Sequence, residues 1–145
     1  TIHAATDLLA EAKLSPELRN EALYYRAKAY TKQKADKKAM EDYRELAKDT
    51  RNSYGAEAKY QVAQSLYDAK EYAAAEKELL NYIEQSTPHA YWLARSFILL
   101  SDVYHATGKD LDARQYLLSL QQNYQGNDDI ESMIESRLSK LKVEN

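Results

Sequence analysis

Large and small apolar positions recur along this chain at a fixed spacing. Val62-Ala63, Leu66, Ala75, Leu79 and Tyr82 are followed 38 residues later by Leu100-Ser101, Tyr104, Ala113, Leu117 and Leu120. Shifted 36 residues the other way, the same spacing reads Arg26-Ala27, Tyr30, Ala39, Tyr43 and Leu46. A small residue on one helix and an Ala on the next allow two helices to approach closely, while the large positions fill the groove beside them. Recurrence at this length is the mark of helical hairpins stacked in series, none of which buries its apolar face alone.

The pattern divides into eight predicted helices. The first covers about 2–14, with the stripe Ile2, Ala5, Leu8, Leu9 and Ala12. Ser15-Pro16 supplies an N-cap and a first-turn proline for a second over about 16–33. Asp36 opens a third, about 36–50, and Arg51-Asn52-Ser53 breaks before a fourth, about 54–69. Lys70-Glu71 turns into a fifth over about 71–86, and Thr87-Pro88 repeats the cap-and-proline signal for a sixth over about 88–107, stopped by Gly108. A seventh over about 110–124 ends at Gly126, and Asp128 with Glu131 forms a capping box for an eighth over about 128–142. Connections of two to four residues force neighbouring helices to run antiparallel.

The eighth helix has one apolar stripe, Ile130, Met133, Ile134, Leu138 and Leu141, on an otherwise polar surface. It reads as the terminal cap that an array of this kind requires. The organisation is thus a half-repeat at 1–14, repeats at 20–55, 56–93 and 94–127, and a capping helix at 128–142. The chain begins without Met and directly in an amphipathic run, which reads as the second helix of a hairpin and predicts the C-terminal part of a longer protein.

Composition narrows the class. Only three Gly and two Pro leave little material for sheet turns, and Ala and Leu outweigh Val and Ile, so the fold class is all-α. The absence of cysteine removes disulfides, thiolate chemistry and Cys-based metal sites. A net charge of −3 gives no pull toward nucleic acid or anionic lipid, and no apolar run is long enough to cross a bilayer. The basic tract Lys32, Lys34, Lys37 and Lys38 falls on a turn and reads as solvated. His3, His89 and His105 lack metal-ligand spacing, and no phosphate loop, nucleophile elbow or catalytic carboxylate pair is present. No enzyme, cofactor or metal is expected.

The spacing resembles that of tetratricopeptide repeats. The best copy is Ala56-Glu57-Ala58-Lys59-Tyr60-Gln61-Val62-Ala63-Gln64-Ser65-Leu66-Tyr67, then Glu71-Tyr72 and Ala75; the next adds Tyr104, Gly108 at the turn and Ala113. Departures are Lys59 and Leu23 at the usual large aromatic, Lys34 and Lys70 at the turn glycine, and a closing proline shifted to Pro88. The resemblance implies a right-handed superhelical solenoid of antiparallel helical hairpins. Segments such as Arg51-Asn52-Ser53-Tyr54-Gly55 resemble in texture the repeats of bacterial envelope proteins, which implies a periplasmic or outer-membrane-associated location rather than a cytoplasmic one.

In such a superhelix the first helix of each pair lines the concave surface. That face carries Tyr24 and Lys28, then Tyr60, Gln64, Tyr67 and Asp68, then Asp102 and His105. Tyrosine offers large contact area and one hydroxyl, which suits peptide recognition. The expected function is a non-catalytic scaffold that binds a peptide or partner protein in a groove centred on Tyr60 and Tyr67. The alternative is a structural spacer with no ligand of its own. The groove lacks the Asn residues by which related repeats capture a C-terminal carboxylate. Trp92 reads either as a packing ledge or as an exposed anchor.

Overall fold

In the computed structural model of the chain, the described residues are 2–11, 14–85 and 88–141. They form eight α-helices and no strand: α1 Ile2–Leu9, α2 Pro16–Lys32, α3 Asp36–Leu46, α4 Ser53–Asp68, α5 Tyr72–Glu84, α6 Ala90–Ala106, α7 Asp110–Asn123 and α8 Ile130–Leu138. The chain divides into two compact units, Thr1–Val62 and Ala63–Asn145, with the boundary inside α4.

In the first unit α1 packs on α2 and α2 on α3. Its core includes Leu23, Ala27, Ala39, Tyr43 and Leu46. In the second unit α6 packs against α5, α7 and α8, and α7 against α8. There Ala94, Ile98, Leu117, Leu120, Ile130 and Ile134 form one cluster, to which the stripe of α8 contributes both isoleucines.

The recurrent small positions are buried, as the spacing predicts. Ala27, Ala63 and Ser101, and their partners Ala39, Ala75 and Ala113, are each no more than 1% exposed. The three hairpin turns also share one hydrogen-bond pattern. The Ala35, Glu71 and Lys109 amides donate to the Tyr30, Leu66 and Tyr104 carbonyls, at 2.9, 2.9 and 2.7 Å. Inside each turn, Lys34, Lys70 and Gly108 donate to Thr31, Tyr67 and His105. This paired bonding satisfies helix-end carbonyls and needs a left-handed residue at its centre. Lys34, Lys70 and Gly108 occupy it, with φ of 60°, 61° and 79°.

Several helix boundaries differ from expectation, each for a local reason. Ser15 caps α2 as predicted, accepting from the Leu18 amide at 3.2 Å, with Pro16 in the first turn. α3 stops at Leu46, because Asp49 and Asn52 build a turn: Asp49 accepts from the Arg51 amide, and Asn52 donates to the Asp49 carbonyl at 3.0 Å. Asn52 also accepts from the Gly55 amide at 2.8 Å, capping α4. Gly55 is required there, since a Cβ would lie 1.8 Å from the Asp49 carbonyl oxygen.

α6 begins at Ala90 with His89 at its N-cap, so Pro88 precedes the helix rather than opening it; the Thr87 cap falls outside the described residues. The first, fifth and eighth predicted helices stop early, at Leu9, Glu84 and Leu138, and of their predicted ends residues 12–13, 86 and 142 lie outside the described residues. α8 starts at Ile130 without the predicted capping box. Asp128 instead accepts from the Ile130 amide two residues on and from the Tyr124 hydroxyl.

Candidate interaction site

The second unit contains a cavity of about 340 Å³ lined by three helices. The last turns of α4 present Gln64 and Tyr67, three residues apart and therefore on one face. α6 presents Ser101, Asp102 and His105, and the cavity is closed by Arg137 at the end of α8 and by Lys140 and Leu141 just after it.

Asp102 and Arg137 tie α8 to α6. Arg137 Nε donates to Asp102 Oδ1 at 3.2 Å and Nη2 to Oδ2 at 3.3 Å, a two-point guanidinium–carboxylate pair. Burial pushes the Asp102 carboxyl above its ordinary pKa, and the bonds from Arg137 only partly draw it back. Burial, with Asp102 nearby, likewise raises the Tyr67 phenol. The Tyr67 ring meets Tyr72 edge-on at 5.6 Å. His105 Nδ1 lies 2.8 Å from Asp110 Oδ1, joining the end of α6 to the start of α7.

Ser101 differs from the other serine buried in α6. Ser96 returns its hydroxyl to the Trp92 carbonyl at 2.8 Å. The Ser101 hydroxyl, on a residue 1% exposed, has no hydrogen-bond partner. A buried polar group left unpaired costs about 1–3 kcal/mol. With Asp102 set against Arg137, Lys140 leaves the lining with a surplus positive charge.

Four of the eight residues expected to form a groove, Gln64, Tyr67, Asp102 and His105, thus line one cavity. Asp68 is exposed beside it and accepts from Gln64 Nε2 at 2.9 Å, without lining it. Tyr24 and Lys28 belong to the first unit, where both converge on Glu57: the Tyr24 hydroxyl donates to Oε1 at 3.0 Å and Lys28 Nζ lies 2.9 Å from Oε2. Lys28 also sits 5.1 Å from the centre of the Tyr24 ring. Burial would lower the Lys28 pKa, but bonds to Glu57 and Tyr24 outweigh it and hold the ammonium above its ordinary value.

Tyr60 is a correction. It is 6% exposed and belongs to the core, because α4 buries Ala56, Glu57, Ala58, Tyr60, Val62 and Ala63 rather than a single stripe. It offers no free ring to a partner. Trp92 is half-buried, edge-on to Tyr91 at 5.1 Å.

Arg137 and Lys140 were not anticipated, since on sequence they belong to the polar face of the terminal helix. The signal for them was Asp102: a carboxylate next to the close-packed Ser101 position needs a cation, and the capping helix carries the available ones. Glu57 was hidden similarly, its need for partners visible only once α2 lies alongside.

Among the described residues no helix is long and apolar enough to cross a membrane, and no group of three His, Asp or Glu is placed to hold a metal ion. Comparison with known protein families, with characterised proteins and with solved structures finds no match.

Proposed function

We propose that this chain is a non-catalytic interaction module, and that its second unit binds a segment of a partner protein in the cavity between α4, α6 and α8. The observation that carries this reading is the convergence of Gln64, Tyr67, Asp102 and His105 on one space that has Ser101 in its wall. The donors there, Tyr67, His105 and Lys140, suit a polar or acidic segment. The Ser101 hydroxyl is not bonded to any base, which favours binding over nucleophilic chemistry. The recurrent buried small positions and turns support a tetratricopeptide-like array, and the right-handed superhelical stacking and envelope location belong to the same proposal.

The test is selection from a random peptide library, followed by calorimetry on wild type, Tyr67→Phe and His105→Ala. Both substitutions remove polar atoms from the cavity while sparing the core. A selected peptide whose affinity falls at least about tenfold in either variant supports the reading; that corresponds to one or two lost polar contacts. Failure to select any peptide, or equal binding by all three proteins, would overturn it and leave the spacer as the better account.

A further inference from the structure

A second hollow in the same unit shares no side chain with the first. It measures about 450 Å³ and is lined by Glu76 of α5, Phe97 and Tyr104 of α6, and Lys109, Asp112 and Tyr116 along the turn and α7. Its floor is a row of three rings. Tyr104 and Tyr116 are stacked at 5.6 Å with 29° between their planes, and Phe97 lies tilted 5.7 Å from Tyr116. Two carboxylates, Glu76 and Asp112, stand beside the row, and neither has an ion-pair partner among the described residues. Burial above all, then Glu76, Tyr116 and Asp112, pushes the Tyr104 phenol up to about 12.

Ring faces carry negative potential and attract cations, more strongly where water is thinned, and nearby carboxylates add to that attraction. One in-chain cation already demonstrates the preference: Lys109 Nζ lies 5.8 Å from the centre of the Tyr104 ring. It covers one end of the row, leaving Tyr116, Phe97 and both carboxylates facing the hollow.

We infer that this hollow is a binding site for a guanidinium group, supplied by an arginine of a basic segment on a partner protein. Arginine fits better than lysine because its planar head stacks on a ring while its donors reach a carboxylate at the edge. Tyr116 and Phe97 take the flat face, and Glu76 and Asp112 take the N–H groups. The chain's net charge of −3 favours the approach of a basic partner. This inference stands independently of the cavity beneath α8.

The probe is the blocked peptide acetyl-Gly-Arg-Arg-Gly-amide, titrated calorimetrically against the whole chain. Its counterpart carries citrulline in place of arginine and so keeps the shape without the charge. The arginine peptide is expected to bind, the citrulline peptide not to bind at the same concentrations. Glu76→Gln and Tyr116→Leu, each checked for unchanged helicity and melting, should weaken binding about five- to tenfold. Glu84→Gln, an exposed carboxylate near the end of α5, should leave it unchanged. Equal binding of the citrulline peptide, an equal loss in Glu84→Gln, no effect of either site variant, or no binding at millimolar peptide would each overturn the inference.

Discussion

Replacing the two turn lysines by glycine should stabilise the protein. Lys34 and Lys70 are held at φ near +60° by the paired hydrogen bonds that close their turns. For an L-residue that conformation costs about 1–2 kcal/mol, because Cβ crowds the following carbonyl. Glycine removes this strain but returns about 0.4–1 kcal/mol through its greater freedom in the unfolded chain. Both side chains are exposed, so little packing is lost. The net gain is about 0.5–1 kcal/mol at each site, or about 1–2 kcal/mol for the double variant. Urea unfolding followed by circular dichroism should show the midpoint rise with unchanged slope. Gly108→Ala supplies the reverse: at φ +79° with no atom within 4 Å of a new Cβ, it introduces strain without a clash and should cost about 1 kcal/mol. Lys32→Gly, in the last turn of α2, is the control and should destabilise by up to about 1 kcal/mol. If Lys70→Gly lowers the midpoint as Lys32→Gly does, the reasoning from turn geometry is refuted.

Two further predictions probe other parts of the fold. Gly55→Ala should destabilise by about 3 kcal/mol, at the upper end of overpacking effects, since the new Cβ meets main-chain oxygens of Asp49 and Leu46 rather than a side chain that can swing away; a variant melting within a degree or two of wild type would contradict it. Burial holds the folded-state pKa of Asp102 above its ordinary 3.8, so the folded protein keeps a proton that the unfolded chain releases, and stability falls as pH rises through that range. Wild type should therefore lose ground against Asp102→Asn as pH rises past that ordinary 3.8 in paired urea titrations; a difference that is flat, or that moves the other way, would show that Arg137 more than offsets the burial.

The helices and their buried small positions were legible because a close helix–helix contact needs a residue as small as Ala or Ser, and only a few positions satisfy that at a constant interval. Ala27, Ala63 and Ser101 announced themselves this way. Helix ends were less legible where a side chain had two possible uses. Asp128 could cap α8 or close a turn from Tyr124, and sequence does not reveal which geometry wins. The candidate site was half legible. Gln64, Tyr67, Asp102 and His105 follow from spacing along α4 and α6, whereas Arg137 and Lys140 arrive from a helix far along the chain. Tyr60 was misplaced because a one-stripe reading of α4 does not anticipate a helix buried on more than one side.

Trp92 is the chain's single tryptophan, among thirteen tyrosines and no cysteine. It lies at the start of α6, against Tyr91 and 5.9 Å from the Arg95 guanidinium. That position makes it a built-in optical reporter: selective indole excitation follows a ring that belongs to the second unit, whereas backbone ellipticity weighs the helices of both units. Superimposable traces from the two signals would mean that the units melt as one, and separated traces that each melts on its own. A single cysteine introduced elsewhere would be the only thiol in the chain, so a dye acceptor could be attached at one chosen place without first removing any native residue.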